Sequence, residues 1–378
     1  MKIHIFNPEH DIALAADSVF WTAPHAGRQL RADLGWIPAL WAADGDIIVV
    51  DDVTASESAI KKNKYANKNV HCTTMQNITS AINKYSPSKH TSISTDTKSN
   101  PDIEILPWGW DKSIVNQLRR SGVPGTLIPS DAAVAAQREI SDRATSSQLL
   151  SFLRTRLRQT RGEAYIAKSI DEIEEKLEEW GKIVIKSPWS SSGRGVRYMS
   201  DKSQNTIKWA EKVIRAMGHI MIEPYMNKIK DFGMEFTAMP DGSIRYDGLS
   251  VFNTSNGAYT GNMLMTEDEK ESLITQYISK ELLSDTQKLI SEWMKQRINA
   301  CYTGPFGIDM MIIGEESGGD SLPEYYLDPC VEINLRRTMG HVALSISPKE
   351  NDLGEIMRIS YEEGNYRIRI MNNHEILF

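Results

Sequence analysis

Two apolar stretches near the end of the chain, residues 304–313 (GPFGIDMMII) and 325–335 (YYLDPCVEINL), carry polar side chains within runs that read as buried strands. The polar turn GEESGGDS joins them, so together they predict one long hairpin. Side chains alternate between the faces of a strand, and Glu332 and Asn334, two positions apart, therefore share a face. Asp309 sits mid-strand among apolar neighbours, where an unpaired carboxylate costs several kcal/mol, so it needs a cation or a donor. Across the ladder it can meet Glu332 and Asn334, giving two carboxylates and an amide. Hard oxygen donors of this kind suit Mg2+, which completes its shell with water and phosphate oxygens. The competing reading is an ordinary ion pair between Asp309 and Arg336 or Arg337.

A second constraint lies upstream, in IVIKSPWSSSGRGV at residues 183–196. Lys186 ends an apolar strand and a loop of Ser190, Ser191, Ser192, Gly193, Arg194 and Gly195 follows at once. Glycines let backbone approach a ligand, hydroxyls and amides donate to phosphate oxygens, and Lys and Arg supply positive charge. The GxxxxGK[ST] order of a Walker A loop is absent. By itself the segment fits a phosphate grip or a tight turn between strands equally well.

With 378 residues, the chain exceeds what one hydrophobic core usually serves, which predicts two or three lobes with a cleft. Residues 2–6 and 46–50 read as buried strands, residues 26–34 as a helix between them, 103–106 as a strand and 111–120 as a helix, an α/β lobe. The polar stretch 86–100 inside it has little to bury and reads as a surface loop. From residue 141, SDRATSSQLLSFLRTRL predicts a helix with Ser141 as N-cap, Asp142 in its first turn and a stripe of Leu149, Leu150, Leu153 and Leu157. Another helix is expected over 169–180, and Lys/Glu-rich helices between 267 and 299.

A net charge of −7 gives no global attraction to nucleic acid or anionic lipid. Three cysteines, Cys72, Cys301 and Cys330, lack any CxxC spacing and read as reduced thiols rather than a disulfide frame or zinc site. Asn7, Glu9, His10 and Asp11 interrupt the start where a signal peptide needs an apolar run, and no apolar stretch of membrane-spanning length occurs, so the cytoplasm is the expected compartment. Neither nucleic acid nor a membrane is an expected partner.

Taken in order, SDRATSSQLL, IVIKSPWSSSGRGV, MIEPYM, DFGMEFTAM, GPFGIDMM and CVEINLRR resemble the landmarks of the ATP-grasp superfamily, from about residue 127 to the C-terminus. The resemblance implies an α/β fold of α+β lobes: an N-terminal Rossmann-like pre-ATP-grasp domain over 1–128, a small lobe with the Gly-rich loop over 129–225, and a C-terminal lobe with the metal site over 226–378. It implies ATP and Mg2+ as cofactors. Arg143 and Lys186 would contact phosphates, and Ser190, Ser191, Ser192, Gly193 and Gly195 would close over them. Glu223, Tyr225 and Met226 would frame the adenine, Asp231 would hold the ribose, and Asp309, Glu332 and Asn334 would hold magnesium. Lys186 and Arg336 would be catalytic, stabilising the transferring phosphate, with Arg337 a less secure substitute for Arg336. The chain departs from the common pattern in Leu-Arg-Arg after Asn334 and in Trp189 within the loop.

The implied reaction is ADP-forming: a small-molecule or peptide carboxylate takes the γ-phosphate, and an amine or similar nucleophile displaces the acyl phosphate. A small-molecule kinase on the same fold and a non-catalytic nucleotide-binding protein are the alternatives. Residues 251–263 can border an acceptor pocket. Glu9, His10 and Asp11 follow the first strand, where parallel sheets meet ligands or a helix needs a cap. His25 and His341 lack metal-ligand partners and read as structural or substrate-bonding.

Overall fold

The computed structural model describes residues 1–85, 103–190, 193–255, 258–298, 301–315, 323–349 and 354–372. The polar stretch expected as a loop at 86–100 falls outside them, as do Ser191 and Ser192. The chain forms two compact units, one of Met1–Ala136 with Arg358–Ile370 and one built on Gln137–Met357.

In the first unit the order is β1 (Lys2–Ile5), α1 (His10–Ala16), α2 (His25–Leu34), β2 (Ile47–Val49), α3 (Val53–Lys62), β3 (His71–Thr73), α4 (Ile78–Tyr85), β4 (Glu104–Pro107) and α5 (Lys112–Arg120). The strands form a parallel sheet ordered β3-β2-β1-β4, as the Rossmann-like expectation requires. Ile3, Ile5, Ile47, Val49 and Ile105 join Ile82 and Leu118 in one core. Each such side chain, when fully buried, stabilises by about 1.5–3 kcal/mol. Asp52 and Asp111 cap α3 and α5 through carboxylates that accept from Ala55 and Ile114 N–H groups.

α6 (Asp131–Ile140) leads to α7 (Arg143–Arg154). Here the expected cap is corrected: Asp142, not Ser141, is the N-cap, its carboxylate accepting from Ala144 N. Ser141 is spent on the preceding helix, since both its N–H and its hydroxyl donate to Gln137 O. Leu149, Leu150, Leu153 and Leu157 are all buried, but Leu157 lies past the end of α7.

The second unit holds two antiparallel sheets. β5 (Tyr165–Ala167), β6 (Ile183–Lys186), β7 (Val196–Met199) and β8 (Ile220–Pro224) form the smaller, ordered β5-β8-β6-β7. α8 (Ile170–Trp180) and α9 (Gln204–Met217) contribute Ile173, Leu177, Ala210 and Val213 to the core shared with Ile183, Ile185, Ile220 and Ile222. Ser169 and Glu172 close a capping box at the start of α8.

The larger sheet is built from β9 (Lys228–Ala238), β10 (Ile244–Ser255), β11 (Ala258–Leu264), β12 (Gly304–Glu315) and β13 (Glu324–Asn334), in the order β13-β12-β9-β10-β11. α10 (Glu267–Ile274), α11 (Lys280–Ile298) and α12 (Met339–Ile346) belong to the same unit, and β14 (Glu355–Glu362) begins against β11 before β15 (Asn365–Asn372). The hairpin expected from the sequence is β12–β13. Its register jumps between Asp309, opposite Glu332, and Met311, opposite Asp328. Pro329 falls inside this irregularity, where its missing N–H breaks no ladder bond. Among the described residues no helix is long and apolar enough to cross a membrane.

Candidate nucleotide and metal site

The second unit brings the β6 end, the α7 start and the β12–β13 hairpin together. Asp309 pairs in register with Glu332 on β13 and with Gly233 on β9. Asn334 Nδ2 donates to Asp309 Oδ2 at 3.0 Å, and Arg336 Nη2 donates to Asn334 Oδ1 at 2.9 Å. Arg336 also reaches Arg337 O through Nη1 at 3.1 Å. Asp309 therefore meets the partners foreseen from spacing, and the Arg336 guanidinium, which contacts the amide, also acts by its charge on the aspartate. Burial, then the negative charges of Glu332 and Glu235, push the Asp309 carboxyl up to about 8, an effect that Arg336 and Asn334 only partly offset.

Arg143 connects this cluster to the loop. Its Nη2 donates to Glu332 Oε1 at 2.7 Å, and its Nη1 donates to Ser190 Oγ at 2.9 Å and to Ser187 O. The guanidinium is 5% exposed and its Nε is buried without a hydrogen-bond partner, so it retains a donor beside Ser190 and Glu332. Ser146, one turn along α7, accepts from Ile333 N at 3.0 Å and fixes the helix against β13.

The loop base is tightly built. Ser187 N donates to Gly195 O at 2.8 Å and Val196 N to Gly193 O at 3.2 Å. Gly193 has φ +71°, in the left-handed region, and an added Cβ on Gly195 would collide with the hydroxyls of Ser187 and Ser190. Trp189 is buried: its Nε1 donates to Arg138 O at 3.0 Å and the Arg138 guanidinium lies 3.7 Å over its ring. The tryptophan that departs from the common pattern thus anchors the loop base. Lys186, 8% exposed, places Nζ 2.5 Å from Glu223 Oε2.

Tyr225 is exposed, with Lys182 Nζ 3.4 Å from its ring centroid, and Met226 is partly exposed beside it. Asp231 Oδ2 accepts from Lys228 Nζ and Thr254 Oγ1, both at 2.6 Å. Tyr225 and Met226 belong to the β8–β9 connection, whereas Asp231 lies on β9 opposite Met311, two pairs along the ladder from Gly233, the partner of Asp309.

Two groups escaped sequence reasoning, Glu235 and Asp328. Glu235, 2% exposed, accepts from Thr338 Oγ1 at 2.8 Å and lies 3.0 Å from His341 Nδ1. An added Cβ on Gly307 or Gly340 would strike its carboxylate, so glycines make room for it. His341 Nε2 lies 3.2 Å from Phe236 O, which fixes it as structural, whereas His25 is exposed. Asp328 is 4% exposed; burial and then Glu223 push its carboxyl up to about 7. The signal available for Glu235 and Asp328 was the one used for Asp309, an acid inside an apolar strand.

Among the described residues no group of three or more His, Cys, Asp or Glu side chains is disposed to hold a metal. The Asp309, Glu332 and Asn334 set offers two carboxylates and an amide, a partial shell that suits a hard cation bringing other oxygen ligands with it. A carboxyl raised by burial and then by neighbouring negative charge is the electrostatic condition such a cation relieves.

A parallel-sheet unit followed by a small antiparallel sheet and a larger one carrying this hairpin is the arrangement that the sequence resemblance implies. The chain shares its fold with the biotin carboxylase of Campylobacter jejuni, solved as a β,γ-ATP complex, at 13% identity and TM-score 0.51, over 96% of this chain and 76% of that one. It is also similar to N5-carboxyaminoimidazole synthetase of Staphylococcus aureus complexed with ADP, at 12% identity and TM-score 0.48, over 96% and 83%. A protein of Archaeoglobus fulgidus described as of the ATP-grasp superfamily matches at 12% identity and TM-score 0.44, over 98% and 99%. No family model and no curated protein sequence matches the chain.

Proposed function

We propose that the chain is an ATP- and Mg2+-dependent, ADP-forming ligase that activates a carboxylate as an acyl phosphate for attack by an amine or similar nucleophile. The observation that carries this reading is the Arg143 bridge, which joins the base of a glycine loop to the carboxylate and amide cluster of β12–β13. The biotin carboxylase that shares the fold was solved as a β,γ-ATP complex, which supports the nucleotide assignment.

Under this reading Lys186 and Arg143 bind phosphate oxygens, and Ser190, Gly193 and Gly195 let the loop close on them, with Ser191 and Ser192 between. Glu223, Tyr225 and Met226 frame the base, and Asp231 takes the ribose hydroxyls. Asp309, Glu332 and Asn334 hold magnesium, which when bound offsets charge spreading over the phosphates. Arg336, already oriented by Asn334, is placed to stabilise the phosphoryl group as it meets the carboxylate oxygen. Positioning and charge do the work, and no protein nucleophile is needed.

The test combines purified protein, Mg·ATP and a pool of amino acids, peptides and small carboxylates, with nucleotides and new masses resolved. Substrate-dependent ADP and phosphate with a new amide mass support the ligase. ADP with a phosphorylated product would replace it by a kinase, and AMP formation would contradict the ADP-forming chemistry.

A further inference from the structure

The first unit contains a second polar site that the nucleotide chemistry does not use. Its sheet order, β3-β2-β1-β4, places a change of winding direction between β1 and β4: the chain runs outward from β1 to β2 and β3, then returns to the other side of β1. Open parallel sheets take ligands at the carboxyl ends of strands flanking such a point. Asn7, Glu9 and His10 follow β1 there, Gly109 and Asp111 follow β4, and Asp51 follows β2.

These residues form a built site. Asn7 Nδ2 donates to Gly109 O at 2.8 Å, tying the two strand ends, and His10 Nδ1 lies 3.3 Å from Asp111 Oδ2. A Cβ on Gly109 would lie 2.5 Å from the His10 ring, so the glycine is what permits this packing. Arg31 of α2 donates from Nη1 to Glu9 Oε1 at 2.8 Å and brings Nε to 3.6 Å from Asp51 Oδ2.

The balance of charges and hydrogen bonds is incomplete. Glu9 is 6% exposed, yet its Oε2 has no hydrogen-bond partner, and neither does Arg31 Nε. Burial holds the Glu9 carboxyl above the usual range despite Arg31, and Asp111 and Asp51 add to the effect. Two carboxylates, Glu9 and Asp51, thus flank the one guanidinium, while Asp111, paired with His10, adds its charge to that of Glu9, with one buried acceptor and one buried donor left over. An anion would worsen this imbalance, whereas a cationic donor with an adjacent acceptor atom would relieve it.

We propose that this cluster binds a small amine, seating its primary ammonium group on the buried, unpartnered Oε2 of Glu9 and presenting a neighbouring oxygen to Arg31 Nε. Amino acids and amino alcohols share that chemistry. The inference stands on the first unit alone and needs neither ATP nor the ligase reading.

The experiment is isothermal titration of the full chain, without nucleotide, against each of the twenty standard amino acids and ethanolamine. At least one is expected to bind, and Glu9→Gln to weaken it about 10- to 100-fold, the range for losing a hydrogen bond between two charged groups. Lys186→Met, altered in the other unit, should bind the amine as the native chain does, which separates this inference from failure of the nucleotide assignment. Should Glu9→Gln fail to fold, Glu9→Asp keeps the charge while withdrawing the carboxylate, and is expected to bind more weakly. Amino acids binding with ethanolamine inactive would identify the oxygen presented to Arg31 as a carboxylate. The proposal is overturned if none of these amines binds to the native chain, if the Glu9 variants bind as tightly as it does, or if potassium chloride alone abolishes the response.

Discussion

Asp46 in the first unit is buried and Asp309 in the second partly buried, and the chain treats the two aspartates oppositely. Asp46 accepts from Lys2 N at 2.7 Å and Ala43 N at 3.0 Å, and it pairs with His4 Nε2 at 3.1 Å. Burial pushes its carboxyl up, but these hydrogen bonds outweigh that, and it rests below the usual range. For Asp309, burial and then the carboxylates of Glu332 and Glu235 outweigh the Arg336 charge and the Asn334 amide, and it is driven up to about 8. A satisfied buried acid stabilises the fold, whereas an underserved one marks a place prepared for charge from outside.

The largest effect that tests this contrast is catalytic. Glu332→Gln and Lys186→Met should each lower nucleotide turnover by about 10²- to 10³-fold, the scale of losing one preorganised electrostatic contact. Undiminished rates in both variants would show that the site lies elsewhere.

The next effect is the opposite pH dependence of the two aspartates. Folded Asp309 keeps its proton to about pH 8, whereas the unfolded chain releases it near 3.8. The folded state therefore binds more protons across that window, and this residue's contribution to stability falls as pH rises. Asp309→Asn should flatten that dependence, and so should Mg·ADP, as read by denaturant unfolding at stepped pH. For Asp46 the folded value is depressed, so its contribution is present above 3.8 and fades on acidification below it. Asp46→Ala should cost about 1–3 kcal/mol at neutral pH by leaving Lys2 N and His4 without their acceptor.

The strands and the meeting of Asp309 with Glu332 and Asn334 were legible before the structure because their chemistry is local. Alternation put Glu332 and Asn334 on one face, and the apolar setting of Asp309 required a partner. Asp142 was missed as the cap because Ser141 is equally good locally and is excluded only by its bonds to Gln137. The Arg143 bridge to Glu332 spans 189 positions, and no pattern along the chain encodes such a contact. The packing of Glu235 depends on Gly307 and Gly340, which come together only when β9, β12 and the start of α12 assemble. Tyr366 N donating to Asp33 at 2.8 Å, across 333 positions, was equally invisible.

The smallest expected effect is a control. His25 is exposed at the start of α2, so His25→Ala should change stability by less than about 0.5 kcal/mol and leave turnover unaltered. A large loss would assign that histidine a role its surroundings do not support.

The most direct test of the central claim, that the Asp309 cluster is prepared for a metal-bound nucleotide, is calorimetric titration of ADP with and without Mg2+ into the native chain and Asp309→Asn. The account predicts tighter binding of Mg·ADP than of free ADP by the native chain, with that preference lost in the variant. Equal affinities with and without Mg2+, or an undiminished preference in Asp309→Asn, would contradict it.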